Sequence, residues 1–120
     1  MTDRIVLRGL RGFGHHGVYP EERREGQPFL VDVVLDVDTA AAAASDDVAD
    51  TVHYGELAHR VVAVVEGEPV NLLETLAQRV ADVCLALPPV EAVEVTVHKP
   101  EAPVGVPFDD VAVVIRRRRS

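Results

Sequence analysis

Glu74, Tyr54, Lys99 and Glu22 are the side chains whose types and local settings suit proton-transfer chemistry. Glu74 lies in VNLLETLA (residues 70–77). There an apolar stripe starts at Leu73 and runs through Leu76, Ala77, Val80, Ala81, Val83, Cys84 and Leu87 at helical spacing. Thr75, Gln78, Arg79 and Asp82 form the wet side, and Glu74 falls at the seam, near the positive end of the helix. A carboxylate held there can accept two parallel N–H bonds from a flat, guanidine-like ligand edge. The same residue can instead close a capping box with Asn71, the commoner use of such a pair.

The other three carry similar pairs of readings. Tyr54 opens a second helical pattern and shares its apolar stripe with Leu57, Ala58, Val61, Val64 and Val65, so it reads first as a core tyrosine whose hydroxyl wants a partner. Lys99 shares the parity of Val93, Val95 and Val97 at the end of a strand. Either its amine enters the space between sheet and helices, or the strand ends at Val97 and the lysine is solvated. Glu22 lies in EERRE (residues 21–25), which reads as a polar loop. A carboxylate, a phenol and an amine converging on one cleft would suit proton transfer on a small polar heterocycle.

Other chemistries are disfavoured. His15 and His16 are adjacent, His53 and His59 are six apart and His98 stands alone, so no metal-ligand spacing occurs. Cys84 is the one cysteine and reads as a small buried hydrophobe. GFGHHG is glycine-rich but leads into a polar stretch and not into a helix, and no phosphate loop or nucleophile elbow is present. A net charge of −8 argues against general nucleic-acid or anionic-membrane binding. No apolar run approaches the roughly 20 residues of a bilayer span, and the start MTDRIVLRGL lacks a signal-peptide core, which predicts a cytoplasmic protein. The basic run at residues 116–119 reads as a solvated strand end or tail.

The elements that must position these residues are legible from periodicity. With 120 residues, 48% of them apolar, the chain is expected to form one domain over residues 1–120. Residues 4–11 read as a first strand with Ile5 and Leu7 on one face and Val6, Arg8 and Leu10 on the other, broken by Gly12, Gly14 and Gly17. Residues 29–38 form the clearest strand, with Phe29, Val31, Val33, Leu35 and Val37 on one face and Asp32, Asp36 and Asp38 opposite. The short connection between the two predicts an antiparallel pair. The alanine patch at residues 40–44 reads as a strand exit into a loop. Helices are expected over residues 54–66 and 72–87, and further strands over 91–99 and 110–116. The order β-β-α-α-β-β makes an α+β domain with two antiparallel helices on one face of an antiparallel sheet. Four strands leave two edges, which predicts a homo-oligomer.

Four separated motifs carry a resemblance: GFGHHGVYPE with Glu22 following, DTVHYGEL (50–57), VNLLETLA (70–77) and VTVHKPEAP (95–103), together with the DRIVLRGL start and the FDDVAVVI finish. At this spacing they resemble dihydroneopterin aldolase. The resemblance implies the tunnelling fold, in which β-β-α-α-β-β subunits join their sheets into a barrel, as a tetramer or octamer with active sites between subunits. It implies that Glu74 anchors the 2-amino and N3 edge of a pterin, with Leu73 and Val52 beside the ring. Tyr54, from a neighbouring subunit, is then the proton-transfer phenol, Lys99 the general acid/base, and Glu22 the carboxylate ordering the side-chain region. The implied reaction is a retro-aldol cleavage of 7,8-dihydroneopterin in folate biosynthesis, with no cofactor, metal or lysine Schiff base. Two rivals remain: an epimerase of dihydroneopterin or its triphosphate, and a non-catalytic pterin- or purine-binding oligomer in which Lys99 is idle.

Overall fold

Strand β2 (Gln27–Val37) is the spine of the molecule, because Phe29, Val31, Val33, Leu35 and Val37 recur at every second position and are all fully buried. The computed structural model describes residues 2–119. β2 pairs with β1 (Asp3–Gly14) on one side and β3 (Ala92–His98) on the other. β3 pairs in turn with β4 (Ala112–Arg118). The sheet has the order β1-β2-β3-β4, antiparallel throughout, so β1 and β4 are its edges.

Helices α3 (Tyr54–Glu66) and α4 (Leu73–Leu85) cover one face, α3 over β1 and α4 over β3 and β4. Leu57, Val61 and Val65 of α3, and Leu76, Ala77, Val80, Ala81 and Cys84 of α4, pack onto Val93, Val95, Val97 and the β2 row as one core. Burying a Val or Leu side chain contributes about 1.5–3 kcal/mol, which is what fixes the helices to this face. Burial also pushes the Cys84 thiol up to about 12, so it stays an unreactive packing group. Among the described residues no helix is long and apolar enough to cross a membrane.

Along these elements the structure differs from the sequence expectations in several places. Residues 21–25 are not loop: Pro20–Glu25 form a short helix, α1, with Pro20 opening it and Gly26 closing it at φ 72°. The alanine patch is also helical, as α2 (Ala40–Ser45), which follows from alanine's high helix propensity; it ends at Asp46 in a left-handed conformation and is followed by a 3₁₀ turn, Val48–Asp50. The C-terminal arginines lie at a solvated strand end, as one of the two readings had it, and all four are exposed. β4 runs through Arg118, Arg116 pairs with Asp36 at 2.5 Å, and Arg119 donates to the carbonyls of Leu87 and Val90 at 2.7 Å each.

In β1, Leu10 faces the core, against the expected alternation. A bulge sets Arg8 and Gly9 opposite the single residue Asp32; Gly9 takes φ 69° and donates to Asp32 Oδ1 at 2.7 Å. The strand therefore continues past Gly12 to Gly14. Finally, Asn71 is not the cap of α4. Leu72 is the N-cap residue, without a side-chain cap, and Asn71 Oδ1 accepts from Arg23 of α1 instead.

Candidate active site

Lys99 and Glu22 meet at the end of the sheet where β1 and β3 finish and β2 begins. Lys99 continues the core-facing row of Val93, Val95 and Val97 one step beyond β3, so its amine passes under the helices and not into solvent. Its backbone N–H donates to Val111 O at 2.8 Å, which fixes where the strand ends. Its Nζ lies 2.6 Å from Glu22 Oε2 and 6.0 Å from the centre of the Phe29 ring. Both residues are 8% exposed.

Glu22 is delivered by α1. Gln27 Nε2 donates to Oε2 at 3.1 Å and the Tyr19 N–H to Oε1 at 3.3 Å. Burial pushes the Glu22 carboxyl upward, but the bond from Lys99, the Tyr19 N–H, the charge on Lys99 and the Gln27 amide outweigh it and hold its pKa below the ordinary carboxylate value. Gly17 makes room for this carboxylate: a Cβ there would lie 2.2 Å from Glu22 Oε1, and its φ of +152° already disfavours a side chain. Gln27 Oε1 is buried and has no hydrogen-bond partner among the described residues, an acceptor left open beside the pair.

The mouth of α4 is tied to the same end. Buried His16 accepts the Val70 N–H on Nδ1 at 3.1 Å and donates from Nε2 to Val65 O at 2.6 Å. Its ring sits edge-on to Phe29 with centroids 5.2 Å apart. These bonds select the neutral imidazole, and burial, despite the Val65 carbonyl, holds its pKa below the ordinary value. The Gly17 N–H donates to Val70 O at 2.9 Å, and Arg23 binds both Gly17 O and Asn71. Residues 70–71 are thus clamped against α1, the helix that carries Glu22, just ahead of Leu73, half-buried, and Glu74, exposed. Glu74 makes no hydrogen bond or ion pair among the described residues, and α4 begins without a side-chain cap, so this helix mouth offers a carboxylate and unclaimed N–H groups together.

Tyr54 and Val52 do not join them. They sit at the opposite end of α3, and from Tyr54 to Val65 the helix rises about 16 Å. Val52 is buried, and with Thr51, His53 and Tyr54 it lines an open pocket at the exit of α2. Tyr54 is 63% exposed, which overturns the expectation of a core tyrosine. It does share the stripe of Leu57 and Val61. It also lies in the first turn, where side chains lean back toward the helix start, beyond the neighbours that cover the rest of the stripe.

Sequence reasoning missed Gln27 and His16. Gln27 shares the parity of Phe29 and Val31, so a strand begun two residues earlier would have turned it inward with them. His16 carried no comparable signal, because its partners are backbone atoms 49 and 54 positions away. Among the described residues no group of three or more His, Cys, Asp or Glu could hold a metal ion.

The family model of dihydroneopterin aldolase matches residues 5–116. The dihydroneopterin aldolase of Streptomyces coelicolor is 67% identical over 117 residues, covering 98% of both chains. Among solved structures, Escherichia coli dihydroneopterin aldolase in complex with neopterin is similar at TM-score 0.87 and 34% identity, covering 96% of this chain and 98% of that one. A Burkholderia dihydroneopterin aldolase bound to guanine has TM-score 0.78 and 26% identity, over 99% of this chain and 93% of that one. Fold and relatives define the class as a carbon–carbon lyase of the aldolase type. The chain belongs to the dihydroneopterin aldolase family of folate biosynthesis.

Proposed function

We propose that Lys99, Glu22, Glu74 and Leu73 of one copy, with Tyr54 and Val52 of a second, form the pocket in which 7,8-dihydroneopterin is cleaved to 6-hydroxymethyl-7,8-dihydropterin and glycolaldehyde. The observation that carries this reading is the buried Lys99–Glu22 pair at 2.6 Å, its helix α1 clamped to the residues just ahead of α4. Relatives of the same fold are described with neopterin and with guanine, two ligands that share an N–C(NH₂)–N edge. Glu74 suits that edge: its carboxylate accepts from the 2-amino group and N3–H, each charge-assisted bond contributing about 1.5–3 kcal/mol.

The protein's task is then to move protons. The carbon–carbon bond of the side chain breaks as its electron pair enters the pterin ring, leaving an enol-like intermediate. Lys99 relays the proton of the 2′-hydroxyl through water, passing on one of its own as it receives it, and the departing fragment becomes the aldehyde. The nascent carbon is reprotonated with the help of the Tyr54 phenol. Glu22 holds Lys99 in place and keeps a negative charge beside it in which a transferred proton is stabilised.

The about 16 Å between the two ends of α3 is the reason for a second copy. Tyr54 opens α3 and Val65, next to the Lys99 end through His16, closes it, which favours a second copy as the source of Tyr54, and the edges β1 and β4 support joining sheets in a tetramer or octamer.

The test is complementation. Tyr54→Phe and Lys99→Ala chains are each expected to lose turnover of 7,8-dihydroneopterin by about 100-fold while still binding pterin. Mixed, dissociated and reassembled in equal amounts, they are expected to regain about a quarter of the parent rate, because that share of shared sites draws an intact tyrosine and an intact lysine. Mixtures as inactive as their parents would place both groups in one chain and overturn the shared pocket. A fully active Lys99→Ala chain would overturn the role of Lys99, and a parent chain that binds 7,8-dihydroneopterin but returns it unchanged would leave only a pterin binder.

A further inference from the structure

On the sheet face opposite the helices, His98 is held between two carboxylates. Its Nε2 lies 2.7 Å from Asp32 Oδ2 on β2, and its Nδ1 lies 2.7 Å from Asp110 Oδ2, just before β4. A neutral imidazole carries one N–H, so its second nitrogen would set a lone pair against a carboxylate at that distance. Two short bonds to two carboxylates therefore select the imidazolium. Asp32 in turn accepts the Gly9 N–H of the β1 bulge at 2.7 Å. One histidine thus gathers contributions from three strands of the sheet and from the segment leading into the fourth.

The charges facing it are few. Asp32 comes from β2 and Asp110 from the segment leading into β4; Arg8 of β1 acts on Asp32, and the residue of β4 paired with His98 is the uncharged Ala112. Leu30 and Pro100 complete the wall. The bonds from Asp110 and Asp32 raise the His98 pKa above its ordinary value, against a smaller opposing effect of burial.

The chain beyond His98 turns this cluster toward the chemistry. The next residue is Lys99, whose N–H bonds Val111 O, the neighbour of Asp110. The loop between them returns past Glu22, because Pro103 lines a pocket with Tyr19, Glu21 and Glu22. Two adjacent links, His98–Asp110 and Lys99–Val111, thus close that loop onto the end of β3. We propose that His98, as an imidazolium bridging Asp32 and Asp110, is a positioning residue that fixes the Lys99 amine from the far face of the sheet. This rests on the reading of Lys99 as the proton-transfer group.

The link is present while His98 is charged and is lost as pH rises through its raised pKa. Cleavage of 7,8-dihydroneopterin and ¹⁵N NMR of the histidine rings, measured across pH 5.5–9.5 on the parent, His98→Gln, Asp110→Asn and Lys99→Ala, test it. One ring system, assigned by its absence from His98→Gln, is expected to carry two N–H groups at pH 7. His98→Gln is expected to lower kcat about tenfold with KM changed less than twofold, and to lack the alkaline limb of the parent profile that follows this ring. Asp110→Asn is expected to move both the limb and the NMR midpoint down by about one pH unit.

A neutral His98 ring at pH 7 would overturn the inference, as would a parent-like kcat and limb in both His98→Gln and Asp110→Asn. Should His98→Gln fail to fold, Asp110→Asn and the parent NMR titration decide alone. A fully active Lys99→Ala would instead overturn the reading of Lys99 itself, whatever His98 does.

Discussion

The Lys99–Glu22 pair gives a prediction whose size follows from its geometry. At 2.6 Å and an effective dielectric of about 20, the attraction is on the order of 6 kcal/mol before desolvation. Both residues are 8% exposed, so taking each charge out of water costs several kcal/mol, and the pair is close to break-even against an apolar replacement. Losing one partner is a different matter, since it strands the other charge under the helices. Glu22→Gln and Lys99→Met are therefore each expected to cost about 3 kcal/mol, and the double variant clearly less than their sum, with a coupling of about 2 kcal/mol or more.

Urea unfolding of the four proteins, followed by far-UV circular dichroism at pH 7 and one fixed protein concentration, measures this directly. Because the Glu22 pKa is lowered on folding, the carboxylate's contribution is present above its ordinary value and is lost as pH falls through the lowered one. The coupling should thus be equal at pH 7 and pH 5.5 and shrink only in more acidic solution. Costs that add to within about 0.5 kcal/mol at pH 7 would refute the buried pair.

Gly17→Ala is expected to push the Glu22 carboxylate off Lys99, since the new Cβ would lie 2.2 Å from Glu22 Oε1, and to cut turnover at least tenfold with pterin affinity retained, read by steady-state kinetics and titration. Buried His16, with its pKa lowered on folding, resists a proton that the unfolded chain accepts. Urea midpoints are therefore expected to fall as pH drops below about 6.5, and less steeply in a folded His16→Gln variant. Leu76→Ala, at a fully buried position of α4, is expected to cost about 2–5 kcal/mol in the same unfolding assay.

The sheet and its helix face were legible because they rest on period-2 and period-3.6 patterns of Val and Leu, which need no distant partner to be read. α3 shows this: Tyr54–Glu66 coincides with the expected span, its ends marked by the pattern and by Gly67. The parity of Lys99 also pointed inward, but its partner Glu22 lay in a stretch read as loop, because six residues are too few to show a helical period. The C-terminal arginines were read as a solvated strand end or tail and are exposed at the end of β4, but charge alone could not show that Arg116 and Arg119 bond Asp36 and the carbonyls of residues 87 and 90, brought near only by the folded sheet. Tyr54 was misplaced for the opposite reason: its position in the stripe is right, but the stripe outruns the core that covers it. Short polar stretches and side chains bonded to remote backbone have no signature in local spacing.

Gly9 makes β1 a strand with two reading frames. Before it, odd-numbered residues such as Ile5 and Leu7 face the core; after it, even-numbered ones do, so that Leu10, Gly12 and Gly14 point inward and lead the chain to His16. The extra residue is absorbed opposite Asp32. A change there therefore acts through parity more than through bulk. There is open space around Gly9, yet a β-branched residue at φ 69° costs on the order of 1–2 kcal/mol and favours straightening, which would turn every later residue of the strand over. Deleting Gly9 outright leaves Arg8 alone opposite Asp32 and keeps the downstream frame. At this position a missing residue does less harm than a bulkier one, and the chain can lose a link here more safely than it can stiffen one.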